Sequence, residues 1–460
     1  MERPREVRKA RPLRRRDLPD LARFLLLGAL VGLTCWPLNL VDGWQDRLLK
    51  QLPGFHGGPW SWPSLLLALS PVVVVPLLLS LQRGPLACGA GSGIPQTMVS
   101  LEDPARADTL LAWRPTAARL ALWTVASLVL LPLGREGPLV QLGATVAQAL
   151  RRWLPGLRAQ IRPGSMLAVG GAAGLAGGFN SPLMGVLFLV EELTGSVPTS
   201  LVWPALVVCS SAALVSNLAG MPLFPLGMVS TQEPEWQQVF WALPIGLGGG
   251  LIGGLFASGL LHCSRWLKPR LARQPLAWGL AIGLSLAGMA VLSGGWSAGD
   301  GEVWIRQLLE GRGALPVPGS PLGIAGWLSL LATRCIGPIL ALACGIPGGL
   351  IDPAFSIGAL FGGGTLHVLG ADAQLGVALG MAACLAGATQ LPLMTVVFAL
   401  RLAGDQQWLF GLLLSAALAA TVGSRLQPQP IYHALEADLS APSSRQDGNL
   451  SGQRDAEMPF

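Results

Sequence analysis

The chain has 460 residues, of which 51% are hydrophobic and only 12% are charged, about half the charged share of an ordinary soluble protein. Apolar runs recur along the whole length, so we predict an all-α polytopic membrane protein. The net charge of +6 does not indicate nucleic-acid binding, because much of the excess lies in the first 23 residues. The positive-inside rule assigns such a basic arm to the cytoplasm.

Several apolar runs reach or approach the ~20 residues that a spanning helix needs: 24–41, 203–223, 276–292 and 408–422. Runs that are shorter or interrupted by Gly and Pro, such as 63–81, raise the expected number of segments to about ten to twelve. Residues 42–62 are predicted to form a polar loop.

We divide the chain into four parts: a cytoplasmic arm 1–22, a first transmembrane half 23–222, a second half 223–435 and a disordered cytoplasmic tail 436–460. The tail is rich in Ser, Asp, Gln and Gly, which is typical of disorder, and it is too short for a regulatory domain. The seven cysteines and four histidines are scattered, so we expect no disulfide framework, no metal and no cofactor.

The most informative stretch is Gly134-Arg135-Glu136-Gly137-Pro138, which places two charges inside an apolar region. An ionisable residue at such a depth costs roughly 2.5–3.5 kcal/mol and marks a functional site by default. The glycines and the proline predict a chain break followed by a new helix, whose bare N–H groups favour anions. Glu136 would then be a tethered anion that competes with a free one and leaves when protonated. The alternative is a structural glutamate paired with Arg135.

The second half of the chain repeats motifs of the first half. Residues 175–188 recur 210 positions later as 385–398, and residues 134–143 recur 215 positions later as 349–358. Two matched motifs in the same order indicate an internal repeat. Paired segments interrupted by Gly and Pro are typical of transporters that bind substrate at the interface between repeats.

Three glycine-rich motifs carry a resemblance to a known family: Gly91-Ser92-Gly93-Ile94-Pro95, the Glu136 motif above, and Gly349-Leu350-Ile351-Asp352-Pro353. In sequence and order they resemble the anion-selectivity signatures of the CLC chloride channel and transporter family. With Tyr432, the likeness extends from about residue 25 to 435. It implies two inverted halves of tilted, partly discontinuous helices per subunit, and a homodimer in which each subunit has its own pore.

The resemblance also implies roles for individual residues. Glu136 would be the gating glutamate, and Glu192 would accept protons on the cytoplasmic side. The implied anion-binding residues, which offer hydroxyl or N–H groups, are Ser92, Leu350, Ile351, Tyr432, Arg135 and Gly137.

The residues taken by themselves leave alternatives open. Ser92 could be a plain helix N-cap, and Tyr432 could belong to an interfacial aromatic belt. Glu191 and Glu192 could mark a helix end that emerges into water. Arg119 lies in an apolar stretch and needs an anionic or carbonyl partner.

Asp352 departs from the family, which usually has an uncharged residue there and an aromatic residue in place of Ile351. Asp352 and Pro353 together form the best N-cap and N1 pair in the chain. The carboxylate could instead weaken chloride binding or act as a second protonatable gate.

We therefore expect a chloride/proton antiporter, not an enzyme, in a prokaryotic inner membrane, with both termini cytoplasmic and with chloride, protons and lipid as partners. One alternative is a passive chloride channel of the same fold. A remote alternative is an intramembrane hydrolase with Ser92 as nucleophile, but no histidine lies in a motif that would supply its base. A cation exchanger would need carboxylates that converge at mid-membrane.

Overall fold

The computed structural model describes residues 18–55, 58–153, 162–196, 199–217, 236–309, 323–404 and 406–440, and these residues form helices and connecting turns. The helices of the first half are α1 (Leu18–Gln51), α2 (Trp62–Leu69), α3 (Pro71–Leu81), α4 (Ile94–Glu102), α5 (Pro104–Leu110), α6 (Trp113–Leu128), α7 (Glu136–Trp153), α8 (Pro163–Phe179), α9 (Pro182–Phe188) and α10 (Thr199–Asn217). A π-helical turn, Leu189–Leu193, continues α9.

The helices of the second half are α11 (Trp236–Arg273), α12 (Pro275–Leu292), α13 (Glu302–Leu309), α14 (Gly323–Ala343), α15 (Ile351–Val368), α16 (Ala373–Thr389), α17 (Pro392–Ala403), α18 (Leu409–Leu426) and α19 (Ile431–Ser440). Within the described ranges, seven helical segments are long and apolar enough to cross a membrane, and two of them join consecutive helices: α2 with α3, and α18 with α19. Helices α4, α7 and α15 begin at the three glycine-rich motifs, so the prediction of partly discontinuous helices is confirmed.

Some predicted boundaries were wrong. Residues 42–51 continue α1 instead of forming a loop. The predicted span 63–81 is confirmed as a segment long and apolar enough to cross a membrane, and it consists of two consecutive helices that meet at Ser70. The predicted tail begins too early, because residues 436–440 complete α19. The rest of that tail, residues 1–17 of the basic arm and the boundary at 222–223 lie outside the described residues.

The internal repeat is visible in the backbone. Helices α8 and α16 both end at a left-handed residue, Asn180 with φ 47° and Gln390 with φ 62°, and both are followed by a helix that starts with proline. These two residues are 210 positions apart in the sequence. The predicted repeat is therefore confirmed in this pair of helices.

Glycine lets the repeated helices cross at close range. A Cβ atom built on Gly143 of α7 would lie 2.8 Å from the backbone nitrogen of Gly174 in α8. In the second half, a Cβ on Gly358 of α15 would lie 2.7 Å from the carbonyl carbon of Gly380 in α16. Such spacing leaves no room for a side chain, as in other small-residue helix contacts in membranes.

The two halves meet at an antiparallel bridge between equivalent residues. Gly134 donates its N–H to the carbonyl oxygen of Gly349 at 3.0 Å, and Gly349 donates to that of Gly134 at 2.9 Å. Reciprocal bonds between repeat-equivalent residues are what a local two-fold axis through the bridge produces. This agrees with the predicted inverted repeat and brings the starts of α7 and α15 together.

Candidate functional site: a buried carboxylate at a helix N-terminus

Glu136 is the first residue of α7 and is fully buried. Its Oε1 atom accepts a hydrogen bond of 2.8 Å from the backbone N–H of Asp352, in the first turn of α15. The first N–H groups of a helix have no intrahelical acceptor, and the helix dipole adds partial positive charge there. The carboxylate of one half therefore sits on the N-terminus of a helix from the other half.

The backbone around this contact is shaped to admit the carboxylate. A Cβ atom on Gly349 would collide with the Glu136 side chain, so only glycine leaves the space free. Trp123 donates its indole N–H to the carbonyl oxygen of Gly134 at 3.1 Å. The bridge and this bond together fix the turn from which Glu136 projects.

Arg135 is the centre of a buried ion-pair network, which we call the Arg135 network: Asp42, Arg135, Glu302 and Arg306. The guanidinium pairs with Asp42 and lies 3.4 Å from Glu302, and Arg306 donates to Glu302 at 2.7 Å. The guanidinium also lies 4.6 Å from the ring centroid of Phe179, within range of a cation–π contact. Arg135 thus pairs with carboxylates other than Glu136.

Asp352 does not cap a helix, so the N-cap prediction was wrong. Helix α15 begins two residues earlier than predicted, at Ile351, with Leu350 in the N-cap position and no side-chain cap bond. Asp352 is therefore the second helical residue. It is buried, and its carboxyl group lies close enough to those of Glu136 and Glu302 to interact with them electrostatically.

A cavity of about 380 Å³ lies beside the start of α15, and Ser92, Leu350 and Tyr432 line it. The hydroxyl oxygens of Ser92 and Tyr432 are buried and have no hydrogen-bond partner among the described residues. Buried hydroxyls are normally hydrogen-bonded, so two unpaired ones in a single cavity indicate a place for a ligand. The cavity also reaches Arg265, whose side chain is 52% exposed.

Ser92 is not the N-cap of α4, because Gly93 occupies that position. Its place is set by glycine: a Cβ atom on Gly137 would lie 2.7 Å from the Ser92 carbonyl carbon. Gln96 accepts from the Gly93 N–H at 2.8 Å and closes the first turn of α4. Ser92 is thereby held against α7 with its hydroxyl free.

Arg119 has the carbonyl partners that its apolar surroundings require. Its guanidinium donates to the carbonyl oxygens of Gly91 at 2.9 Å and Ala90 at 2.7 Å. It is 2% exposed. Arg119 therefore holds the glycine-rich loop that carries Ser92.

The two neighbouring glutamates after α9 differ sharply. Glu191 accepts from the backbone N–H groups of Leu393 at 2.9 Å and Met394 at 2.7 Å, so its carboxylate binds the start of α17. The interpretation of Glu191 as a helix end in water was wrong. Glu192 is only 2% exposed, and its Oε1 atom has no hydrogen bond within the described part of the chain.

A family model described as "Voltage gated chloride channel" matches residues 71–424, more than three quarters of the chain. The chain belongs to this family. The predicted CLC family membership is therefore confirmed.

The match extends to individual members of this chloride channel family. The H(+)/Cl(-) exchange transporter ClcA of Salmonella paratyphi B is 26% identical, over 93% of this chain and 90% of the relative. The voltage-gated ClC-type chloride channel ClcB of Escherichia coli is 27% identical, over 65% of this chain and 70% of the relative.

Two solved structures are similar in fold. A slow cyanobacterial Cl⁻/H⁺ antiporter is 19% identical, with a TM-score of 0.76 over 95% of this chain and all of that chain. A CLC-type fluoride/proton antiporter is 22% identical, with a TM-score of 0.70 over 92% of this chain and 99% of that chain. These likenesses confirm the predicted all-α fold of this family member.

Sequence reasoning missed three ionisable side chains in this protein: Asp42, Glu302 and His433. Asp42 was assigned to a loop, and Glu302 was not considered, because their partner Arg135 is 93 and 167 residues away in the sequence. His433 was set aside because the histidines do not cluster. The sequence feature that could have indicated His433 is its position directly after Tyr432.

Proposed function

We propose that the chain is a chloride/proton antiporter in which Glu136 and chloride compete for the N-terminus of α15. The observation that carries this proposal is the hydrogen bond from the Asp352 N–H to the Glu136 carboxylate. A protonated carboxyl group is a weaker acceptor than a carboxylate, so protonation frees the N–H groups for an anion. The names of the relatives, which include exchange transporters for chloride and protons, support the same function.

A chloride ion would occupy the cavity next to Glu136. Its ligands would be the unpaired hydroxyls of Ser92 and Tyr432 and the backbone N–H groups of Leu350 and Ile351. Such a site has dipoles but no full positive charge, which suits an ion that must bind weakly enough to leave. Gly137 and the backbone of Arg135 would lie along the same path.

Glu192 would exchange protons between Glu136 and the cytoplasm. Its burial and its lack of a hydrogen bond at Oε1 among the described residues support this role, because a buried ionisable group in a membrane protein marks a functional site by default. Tyr432, which lines the cavity, interacts electrostatically with both Glu136 and Glu192, and this supports a path for protons that passes close to the proposed anion site.

We propose that the protein lies in the inner membrane of the cell. In the proposed orientation the cavity opens to the cytoplasm, and both termini are cytoplasmic. Arg265 and Lys268 line the cavity, and clusters of basic residues favour the cytoplasmic side. We also propose that the chain forms a homodimer and that each subunit has its own path.

Two alternative functions would require different residues in this site. A passive chloride channel of the same fold would use Glu136 as a gate without needing Glu192, and one relative carries the name of a channel. A hydrolase would need a base beside Ser92, but its hydroxyl has no hydrogen-bond partner among the residues described. We therefore propose no enzymatic activity.

Reconstitution into liposomes separates antiporter from channel. An imposed chloride gradient should drive protons uphill through an antiporter, and a pH electrode outside the vesicles records this movement directly. Chloride flux without proton movement would identify a channel.

A further inference from the structure

We propose that His433 carries protons between Glu192 and the cytoplasm, with Glu436 as its outer partner. This inference rests on the proposed antiport and on Glu192 as its internal proton acceptor. Because Glu192 is only 2% exposed, its carboxyl group needs a connection to water. His433 supplies this connection.

The imidazole of His433 bridges two carboxylates. Its Nε2 atom lies 3.8 Å from Glu192 Oε1, and its Nδ1 atom lies 3.4 Å from Glu436 Oε2. The His433 side chain is 42% exposed, whereas that of Glu192 is 1% exposed. The Glu436 side chain is 15% exposed, so the ring is the most exposed of the three groups and lies between the buried Glu192 carboxylate and a second, more accessible carboxylate.

Imidazole is chemically suited to this position because its two nitrogens can accept and donate protons separately near neutral pH. Nε2 takes a proton from the Glu192 carboxyl group, and the resulting imidazolium releases its Nδ1 proton to Glu436. The ring then returns to its first tautomer by rotating, or by releasing the Nε2 proton to water and taking one from water at Nδ1, because the side chain is 42% exposed. The 3.8 Å gap is longer than a direct hydrogen bond, so a small ring rotation or one bridging water completes the contact.

The charges around His433 come from every side of α19. Glu436 lies one turn further along α19 and interacts electrostatically with Glu102 of α4, and Glu192 interacts with Glu191 beside it in the π-helical turn. From α11, Arg265 pairs with Asp438 at 2.8 Å, and the sequence of α16 contains no charged residue. The surroundings of His433 are therefore mainly acidic, which attracts protons to this face.

The test compares His433→Gln with His262→Gln in liposomes that carry a chloride gradient. His262 is an exposed histidine of α11 that bonds to its own helix through Ser258, so it is a matched control. We expect His433→Gln to slow chloride-driven proton movement by about tenfold. This is less than the ~100-fold or more of a positioned acid–base group, because water can partly replace the ring. The rate should also vary less between about pH 5 and 8, where histidine changes its charge.

A second variant separates proton transfer from a structural role. His433→Ala leaves space for a free imidazole, so a membrane-impermeant imidazole such as imidazole-4-acetate should restore part of the coupled rate. Such a buffer cannot repair a misfolded protein, and it should not change the rate of His262→Gln.

The outcomes distinguish this inference from the proposed function. If Glu192→Gln abolishes coupling while His433→Gln keeps the wild-type rate and pH profile, the relay through His433 is wrong and the antiport mechanism stands. A slow His433→Ala variant that imidazole does not restore also overturns the relay. Normal coupling in Glu192→Gln would instead remove the internal proton acceptor on which both rest.

Discussion

The Arg135 network and the cavity beside Ser92 differ in whether their buried polar groups have partners. In the network, the Arg135 guanidinium forms ion pairs with the carboxylates of Asp42 and Glu302. In the cavity, the hydroxyls of Ser92 and Tyr432 have no partner within the described ranges.

This difference separates support from binding. Paired buried charges hold a fixed arrangement, and breaking one pair is costly because it leaves an uncompensated charge. Unpaired donors beside a helix N-terminus suit an anion that enters and leaves. The Glu136 carboxylate accepts a hydrogen bond from the backbone N–H of Asp352, a donor that an anion could also use.

The largest expected effect is that of Glu136→Gln, which removes the exchangeable proton while keeping the shape of the protonated side chain. Chloride-driven proton movement should be lost, and chloride flux should remain, since the amide cannot act as a tethered anion. Parallel recordings of proton and chloride fluxes from liposomes test this. Continued uphill proton movement would remove Glu136 from the mechanism.

Glu191 and Glu192 allow a direct comparison between a carboxylate with a structural role and a neighbouring carboxylate that carries protons. Glu192→Gln should abolish proton coupling. Glu191→Gln should keep coupling and lower the free energy of unfolding by roughly 1 kcal/mol, because it weakens the bonds to the start of α17. Proton flux and thermal unfolding, measured on both variants, check this, and equal loss of coupling in both would contradict the division of roles.

The chain breaks before α7 and α15 could be predicted from the sequence because a glycine-rich segment and a following proline act locally. The repeat at 210 and 215 positions was also visible. The Arg135 network was not, because its partners come from α1 and α13 and meet only in the fold. Asp352 was misplaced for a local reason: α15 begins before it, although Asp followed by Pro is typical of an N-cap.

Removing either cavity hydroxyl should affect transport less than replacing Glu136 or Glu192. Ser92→Ala and Tyr432→Phe each remove one donor to a charged ligand, an interaction of about 1.5–3 kcal/mol. We therefore expect chloride affinity to fall about tenfold or more in each variant, with proton coupling still present at saturating chloride. Isothermal titration calorimetry measures the affinity, and wild-type affinity in both variants would place the anion elsewhere.

Asp352→Asn should have the smallest effect and the opposite sign. Removing a negative charge near the site relieves repulsion of about 1–4 kcal/mol for charges ~4 Å apart. Chloride should bind about fivefold tighter or more, and the affinity should depend less on pH because one titratable group is gone. Calorimetry at acidic and neutral pH tests this. Unchanged affinity at both would show that the Asp352 carboxyl group does not act on the anion.

The central claim is that the Glu136 carboxylate and a halide use the same N–H groups of α15. Anomalous diffraction from crystals soaked in bromide, which replaces chloride and can be located directly, tests it on wild-type protein and Glu136→Gln. We predict an additional bromide in the variant, at the wild-type position of the carboxylate and within hydrogen-bond distance of the Asp352 N–H. Identical bromide positions in the two proteins would contradict competition at this helix.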